Sequence, residues 1–321
     1  MIALSLSIEG WFGLNWTHWK RIVAEVEQLG FRGLFVSDHL AMQDPPAQDS
    51  LELIVALTYL ADHSERLHFG AMVSPLSIRD PVLLARQAMA LDELSNGRMI
   101  LGVGAGWNEA EHTMFGYNLG DMATRMRRFE EGLDVITRLL RDEEPTSYTG
   151  QFFQLHNAQL LPRPPRRGSL PILIGGTGPR RTLPLVARYA DIWDAGFLAP
   201  DVFRERSALL DQLLQATGRK PGDVKRSVTV PVVCGRSTTE LEQRARGVRR
   251  WSPFADMPLE QLLEQLPAML SAIVGTPETV VARMRDYAAA GVDELVIQWC
   301  GVDDIDGLNV LADEVLPHFA G

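Results

Sequence analysis

Three short stretches of this chain combine residue types that can do chemistry. The first is Asp38-His39, a carboxylate beside an imidazole, placed where the apolar run Gly33–Ser37 ends. A histidine at a strand end can accept, donate or carry a proton near neutral pH. A capping aspartate with a structural histidine explains the pair equally well. The second stretch is Gly102-Val-Gly-Ala-Gly-Trp107, whose three glycines let the backbone approach something flat or bulky. It is not a dinucleotide fingerprint, because Trp107 stands where the third glycine of G-x-G-x-x-G belongs. A tight strand-to-loop turn is the plainer alternative. The third is Gly175-Gly-Thr-Gly178, ahead of a helix predicted to open at Pro179. Free amides at a helix N-terminus attract anions, and Arg180 and Arg181 would add positive charge, so a phosphate is the expected ligand. A plain left-handed turn would also fit.

Other chemistries find little footing. There is no G-x-S-x-G nucleophile elbow. No HxH or HExxH accompanies the scattered His63, His68 and His112, so no metal site is predicted and a metal-dependent barrel hydrolase is a distant reading. Glu9, Glu109 and Glu111 are carboxylates without a partner at a telling spacing. Taken alone, these residues point to an enzyme that binds a flat, phosphorylated ligand.

The elements that must hold them alternate along the chain. Strands are predicted near Ile2–Ile8, Gly33–Ser37, Leu67–Val73, Met99–Gly104, Pro171–Gly175, Asp191–Ala195, Ser227–Cys234 and Glu294–Trp299, with helical patterns between them. The helix signals are specific. Asp80-Pro81 is a cap followed by proline at the first helical position, and Thr276-Pro277-Glu278 repeats that design. Gly30 and Gly291 each end a helix just before an apolar strand. Eight such units, with strands too apolar to face water, predict a closed (β/α)8 TIM barrel spanning 1–321 as one domain, although an open doubly wound sheet shares much of the pattern. Insertions interrupt the alternation at about 106–124 after strand four, 143–168 before strand five and 236–275 between strands seven and eight. The first and third would supply lid and substrate walls at the catalytic face, and the proline-rich run 162–171 reads as a tether.

Composition narrows the class. The 321 residues are 46% hydrophobic and carry a net charge of −10. That balance argues against a nucleic-acid partner and against docking on an anionic membrane, both of which want basic surfaces. Cys234 and Cys300 form no CxxC and read as buried or inert thiols in a reducing compartment. No signal peptide is legible, since Glu9 cuts the first apolar run short, and no stretch approaches the ~18 apolar residues of a membrane span. A cytoplasmic location is expected.

In these motifs the sequence resembles the bacterial luciferase-like family of flavin and deazaflavin oxidoreductases. The matching stretches are Gly30–His39, Gly70-Ala-Met-Val73, Arg79-Asp-Pro81, Leu91–Arg98, Gly102–Trp107, Tyr148–Phe153, Pro171–Gly178 and Ala190-Asp-Ile-Trp193. The resemblance implies a barrel holding coenzyme F420, or alternatively FMN, at its C-terminal face. It would place Asp38 and His39 beside the ring, a non-proline cis peptide at Met72-Val73 behind it, and Gly104, Ala105, Gly106 and Trp107 along its edge. Gly175, Gly176, Thr177 and Gly178 would hold the cofactor's phosphate. His39, Glu9 and Glu109 are the implied proton-transfer candidates. The F420-dependent sugar-phosphate dehydrogenases of that family carry a Glu as catalytic acid where this chain has Trp107. That departure, with Trp11 and Phe12, predicts a small apolar organic substrate that exchanges hydride with the deazaflavin. An FMN-dependent monooxygenase using O2, fed by a separate flavin reductase, is the alternative, and a non-catalytic flavin-binding barrel is a second. The family is commonly dimeric, so a homodimer is expected.

Overall fold

The computed structural model describes residues 2–41, 48–162, 170–251 and 254–319. Eight parallel strands form the barrel: β1 (Ala3–Ile8), β2 (Gly33–Val36), β3 (His68–Ala71), β4 (Met99–Gly104), β5 (Ile172–Gly175), β6 (Ile192–Asp194), β7 (Lys225–Cys234) and β8 (Glu294–Trp299). Each pairs with the next in parallel, from Leu6 opposite Leu34 to Ser227 opposite Glu294, and β8 closes on β1 with Ala3 opposite Glu294. The result is a closed TIM barrel with helices packed around it, and the open-sheet alternative does not hold.

Local chemistry explains why the elements start and stop where they do. Asp80 accepts hydrogen bonds from the amides of Val82 and Leu83 and sets Pro81 at the first turn of the helix Pro81–Leu94. Such a cap stabilises by about 1 kcal/mol. Thr276 caps the helix Pro277–Ala289 in the same way. The helix Trp16–Leu29 buries Trp19, Ile22, Val23 and Val26 and ends at Gly30, whose left-handed backbone costs glycine little.

The interior alternates by height, because inward-facing residues recur every second position along a strand. At the bottom, Ser5 donates to Glu294, which also lies 3.6 Å from Arg32. Above it Phe35, Ile100, Leu173, Ile192 and Val296 fill the barrel with apolar side chains, topped by Met72 and Val73. The layer above that plug, at the C-terminal ends of the strands, opens into a cavity.

The interrupting segments differ in kind. After β4 comes the short helix Glu109–Phe115, then the long helix Met122–Arg141. Before β5 stands an antiparallel hairpin, Thr146–Thr149 with Gln154–Ala158. Between β7 and β8 lie the helices Thr238–Val248 and Leu259–Leu270 and a strand Ile273–Gly275 that pairs with the end of β7. This last segment builds its own apolar cluster, in which Val248, Phe254, Leu262 and Leu266 pack with Trp11, Phe12 and Cys300. It forms one wall of the mouth. The proline-rich run 162–171 lies for the most part outside the described residues.

Candidate active site

The cavity at the C-terminal face has a volume of about 580 Å³. Its floor is the peptide Met72-Val73, which is cis. Two glycines keep that floor flush. A Cβ on Gly104 would lie 2.7 Å from Val73 Cγ2, and one on Gly175 would lie 3.1 Å from Val73 Cγ1. Larger residues at either strand end would displace Val73. Ala105, Gly106 and Trp107 continue the rim from β4, and Gly176 and Thr177 continue it from β5. Gly176 has φ of +122°, a conformation that side chains disfavour.

The walls are mostly apolar. Trp11 and Phe12 follow β1, Met122 and Met126 come from the long helix, and Val248, Trp251 and Leu270 come from the segment between β7 and β8. Among the described residues the polar side chains are Ser7, Glu9, Ser37, His39, Asp194, Thr229 and Gln298 at or just past strand ends, joined by Thr177, Thr182 and Arg125 at the rim. Few polar groups converging in an apolar cleft is the usual make-up of a small-molecule site.

On the β2 side, His39 is held from two directions. Its ring stacks on Trp11, with centroids 3.9 Å apart and planes at 10°, and Trp107 packs edge-on at 5.8 Å. Its Nδ1 lies 3.1 Å from Oε2 of buried Glu111. Ionised Glu111 only accepts hydrogen bonds, so Nδ1 carries the proton and the Nε2 lone pair stays uncommitted to Glu111. Burial opposes ionisation of Glu111. The hydrogen bond and charge of His39, with the amides of Leu40 and Ala41, outweigh burial and hold the carboxyl below its ordinary range. A side pocket of about 130 Å³ lies behind this dyad, bordered by Asn108 and His112.

Three expected site residues, Asp38, Glu109 and Gly178, are not on the lining of the main cavity. Asp38 does not border the main cavity. Its two oxygens accept from Arg79, Nε at 3.0 Å and Nη2 at 2.7 Å, and Arg79 also reaches Glu52 at 2.7 Å. Asp38 therefore anchors a buried ion pair beneath the histidine and borders only the side pocket. Glu109 is exposed on the first turn of its helix, and the carboxylate that turns inward is Glu111, two residues on. Residues two apart on a helix point about 200° apart, so only one can face the site. The helix expected at Pro179 begins instead at Thr182, because Gly178 turns its carbonyl to the amides of Thr182 and Leu183. Pro179, Arg180 and Arg181 sit exposed in the preceding turn.

Glu9 is buried at the cavity edge, where Gln298 Nε2 donates to its Oε1 at 2.6 Å. Cys300 also lines the cavity, and burial pushes its thiol far up; burial pushes Cys234 up to about 12. Both thiols are thus kept protonated and unreactive.

Sequence reasoning passed over Asp194. It ends β6, is buried, borders the cavity, and accepts at Oδ1 from Ser227 and Thr229, each at 2.9 Å. Burial pushes this carboxyl up to about 6, the two hydroxyl bonds act against that shift, and the charge of Glu294 adds to it. The available signal was positional: a carboxylate at a strand's C-terminal end, the same signal that singled out Asp38. Among the described residues, no three His, Cys, Asp or Glu side chains gather as a metal site, and no helix is long and apolar enough to cross a membrane.

The chain is 27% identical to an F420-dependent glucose-6-phosphate dehydrogenase of Intrasporangium calvum, over 92% of both chains. It is 34% identical to a 4-hydroxyprotoasukamycin monooxygenase of Streptomyces nodosus subsp. asukaensis, over 51% of this chain and 41% of that one. Its fold matches the coenzyme F420-dependent tetrahydromethanopterin reductase of Methanopyrus kandleri with a TM-score of 0.80 and 19% identity, over 99% and 100% of the two chains. The model of the luciferase-like monooxygenases matches residues 9–294. The chain belongs to the luciferase-like monooxygenase family and is an oxidoreductase of that family.

Proposed function

We propose that the protein is an F420-dependent oxidoreductase acting on a small, apolar organic substrate. The observation that carries this reading is the flush floor of Met72-Val73 between Gly104 and Gly175, beneath an apolar cavity and beside an oriented histidine. The residues present fit a deazaflavin. The cavity falls within the roughly 300–1,000 Å³ of small-molecule sites, and the glycines leave the floor bare where a planar ring would rest. Similarity along nearly the whole chain to an F420-dependent dehydrogenase supports the cofactor.

Bound there, a reduced deazaflavin supplies hydride from C5, chemistry that belongs to the cofactor. The chain's own residues orient and exclude. Val73 and the rim Gly104–Trp107 would fix one ring face, and Gly176, Thr177 and Gly178 would hold the phosphate of the tail. His39, kept in one tautomer by Glu111 and in one plane by Trp11, would present Nε2 beside the ring. Trp11, Phe12, Trp251 and Leu270 would keep water from the reacting atoms. Among the described residues Arg125 is the one Arg or Lys on the cavity lining, with Nη1 3.2 Å from the carbonyl of Gly106. A highly charged substrate would find little to neutralise it, which favours an apolar one.

An FMN-dependent monooxygenase is the second reading, favoured by the likeness of half the chain to a monooxygenase. Parallel fluorescence titrations of the purified apoprotein with F420 and FMN separate the two. Tight F420 binding with weak FMN binding is expected. The reverse preference would assign the oxygen-using chemistry instead, and binding of neither would remove the cofactor reading altogether.

A further inference from the structure

The hydride chemistry proposed above accounts for the floor and for the β2 side of the cavity. It leaves the opposite side unexplained. In a closed eight-stranded barrel, β2 and β6 are four strands apart in either direction, so His39 and Asp194 face each other across the mouth. Among the described residues Asp194 has no cationic partner within hydrogen-bond reach. Its neighbours are two hydroxyls, Ser227 and Thr229, and both bond the same oxygen, Oδ1. That leaves Oδ2, which no described residue hydrogen-bonds, as the place for a proton. Gly196 lines the cavity beside it, and a Cβ there would rest 3.6 Å from Oδ2. A buried carboxyl with one oxygen saturated and the other open to a cavity is arranged to donate.

We propose that Asp194 is a catalytic acid, exchanging its Oδ2 proton with the oxygen of an apolar ketone or secondary alcohol bound in the cavity. This rests on the cofactor reading above and extends it to a substrate class. In the reducing direction, the carbonyl carbon gains a C–H bond with the hydride pair of a reduced deazaflavin. The C=O π pair moves to oxygen, the Asp194 O–H bond breaks, and its proton forms the alcohol O–H. The deazaflavin is oxidised and the ketone reduced. The Asp194 carboxylate that remains is held by Ser227 and Thr229 until solvent reprotonates it. Ketone and alcohol fit the apolar walls, and one buried donor matches their one oxygen. Among the described residues, the charged or titratable groups about Asp194 are Glu294 below it in the barrel and Glu9, His39, Arg125 and the Cys300 thiol around the same cavity. A carboxyl that titrates near 6 keeps a useful protonated fraction near neutral pH.

The test uses the full-length protein. In ¹³C NMR of apoprotein labelled at aspartate carboxyls, the resonance missing from Asp194→Asn is expected to titrate near pH 6. Thr229→Val, which removes one hydroxyl bond from the carboxylate, is expected to move it higher. A midpoint at about 4, the ordinary aspartate value, overturns the proposal. With cyclohexanone as probe and reduced F420, Asp194→Asn is expected to bind F420 as the wild type does. It should keep KM within a few-fold and lose about 100-fold or more in kcat, the usual yield of general acid catalysis. Normal F420 binding with wild-type turnover in Asp194→Asn overturns the acid assignment alone. Failure of the wild type to bind F420 overturns the cofactor reading, and this proposal with it.

Discussion

Asp38 and Asp194 are the same residue type at the C-terminal ends of two strands of one barrel, yet their surroundings oppose each other. Asp38 meets a guanidinium in a two-point ion pair, and Arg79 is in turn shared with Glu52. Burial acts against the charge of Arg79, but its two carboxylate partners outweigh burial and hold it above its ordinary range. Among the described residues Asp194 meets only hydroxyls, and burial pushes its carboxyl up to about 6 against their hydrogen bonds. One side is built from matched charges, the other from a carboxyl with no charged partner that holds its proton to higher pH. A strand end sets the height of a side chain in the barrel, and the neighbours that fold against it decide its protonation state.

Removing the cation tests the first half of this contrast most severely. Arg79→Leu strands Asp38, whose side chain is only 5% exposed, and should destabilise the fold by about 3 kcal/mol, the lower end for a broken buried pair because Arg79 keeps some exposure. Urea unfolding at pH 7 reads this directly, and an unchanged midpoint would mean the pair contributes nothing net.

The second half predicts the opposite sign. Asp194 has a folded pKa of about 6 against 3.8, so the folded state binds the extra proton between those values. Its contribution to stability is greatest at low pH and falls as pH rises through 4 to 6, reaching a penalty of roughly 3 kcal/mol at pH 7.5. Asp194→Asn carries no such penalty and should be more stable than the wild type at pH 7.5, with the advantage shrinking by pH 4. Thermal unfolding across that range would show it; an advantage independent of pH would remove the titration argument.

A smaller effect is expected at the dyad. Glu111→Gln replaces a charge-assisted bond to His39, a difference of about 1.5–3 kcal/mol, so kcat should fall about tenfold or more while F420 affinity changes little. Loss of F420 binding instead would make Glu111 part of the cofactor site. The mildest change is Trp11→Leu, which removes the stacked ring from His39 and about 1 kcal/mol of aromatic contact. A modest drop in F420 affinity, read by fluorescence, is the expected result.

Much of the barrel was legible before any coordinates. The eight strand positions follow from apolar runs, and the ends of helices from Asp80-Pro81, Thr276-Pro277 and Gly30, because caps and turns act over three or four residues. Gly104 and Gly175 stand out in the sequence as strand-end glycines, expected at the ring's edge and at the phosphate; that both leave room for Val73 on the floor is set by packing. The partners were not legible. Glu109 and Glu111 look alike in sequence, and only the docking angle of their short helix chooses which one meets His39. The helix after Gly178 starts three residues late, through carbonyl contacts that no residue type announces.

The sequence by itself determined the order of elements, their caps and the height of each strand-end side chain, because these depend on neighbours a few positions away. Only the tertiary structure decided that Asp38 meets Arg79, 41 residues on, that His39 meets Glu111, 72 residues on, and that Asp194 meets Ser227 and Thr229. Charge state follows from burial and from such long-range partners, and both exist only once the barrel has closed.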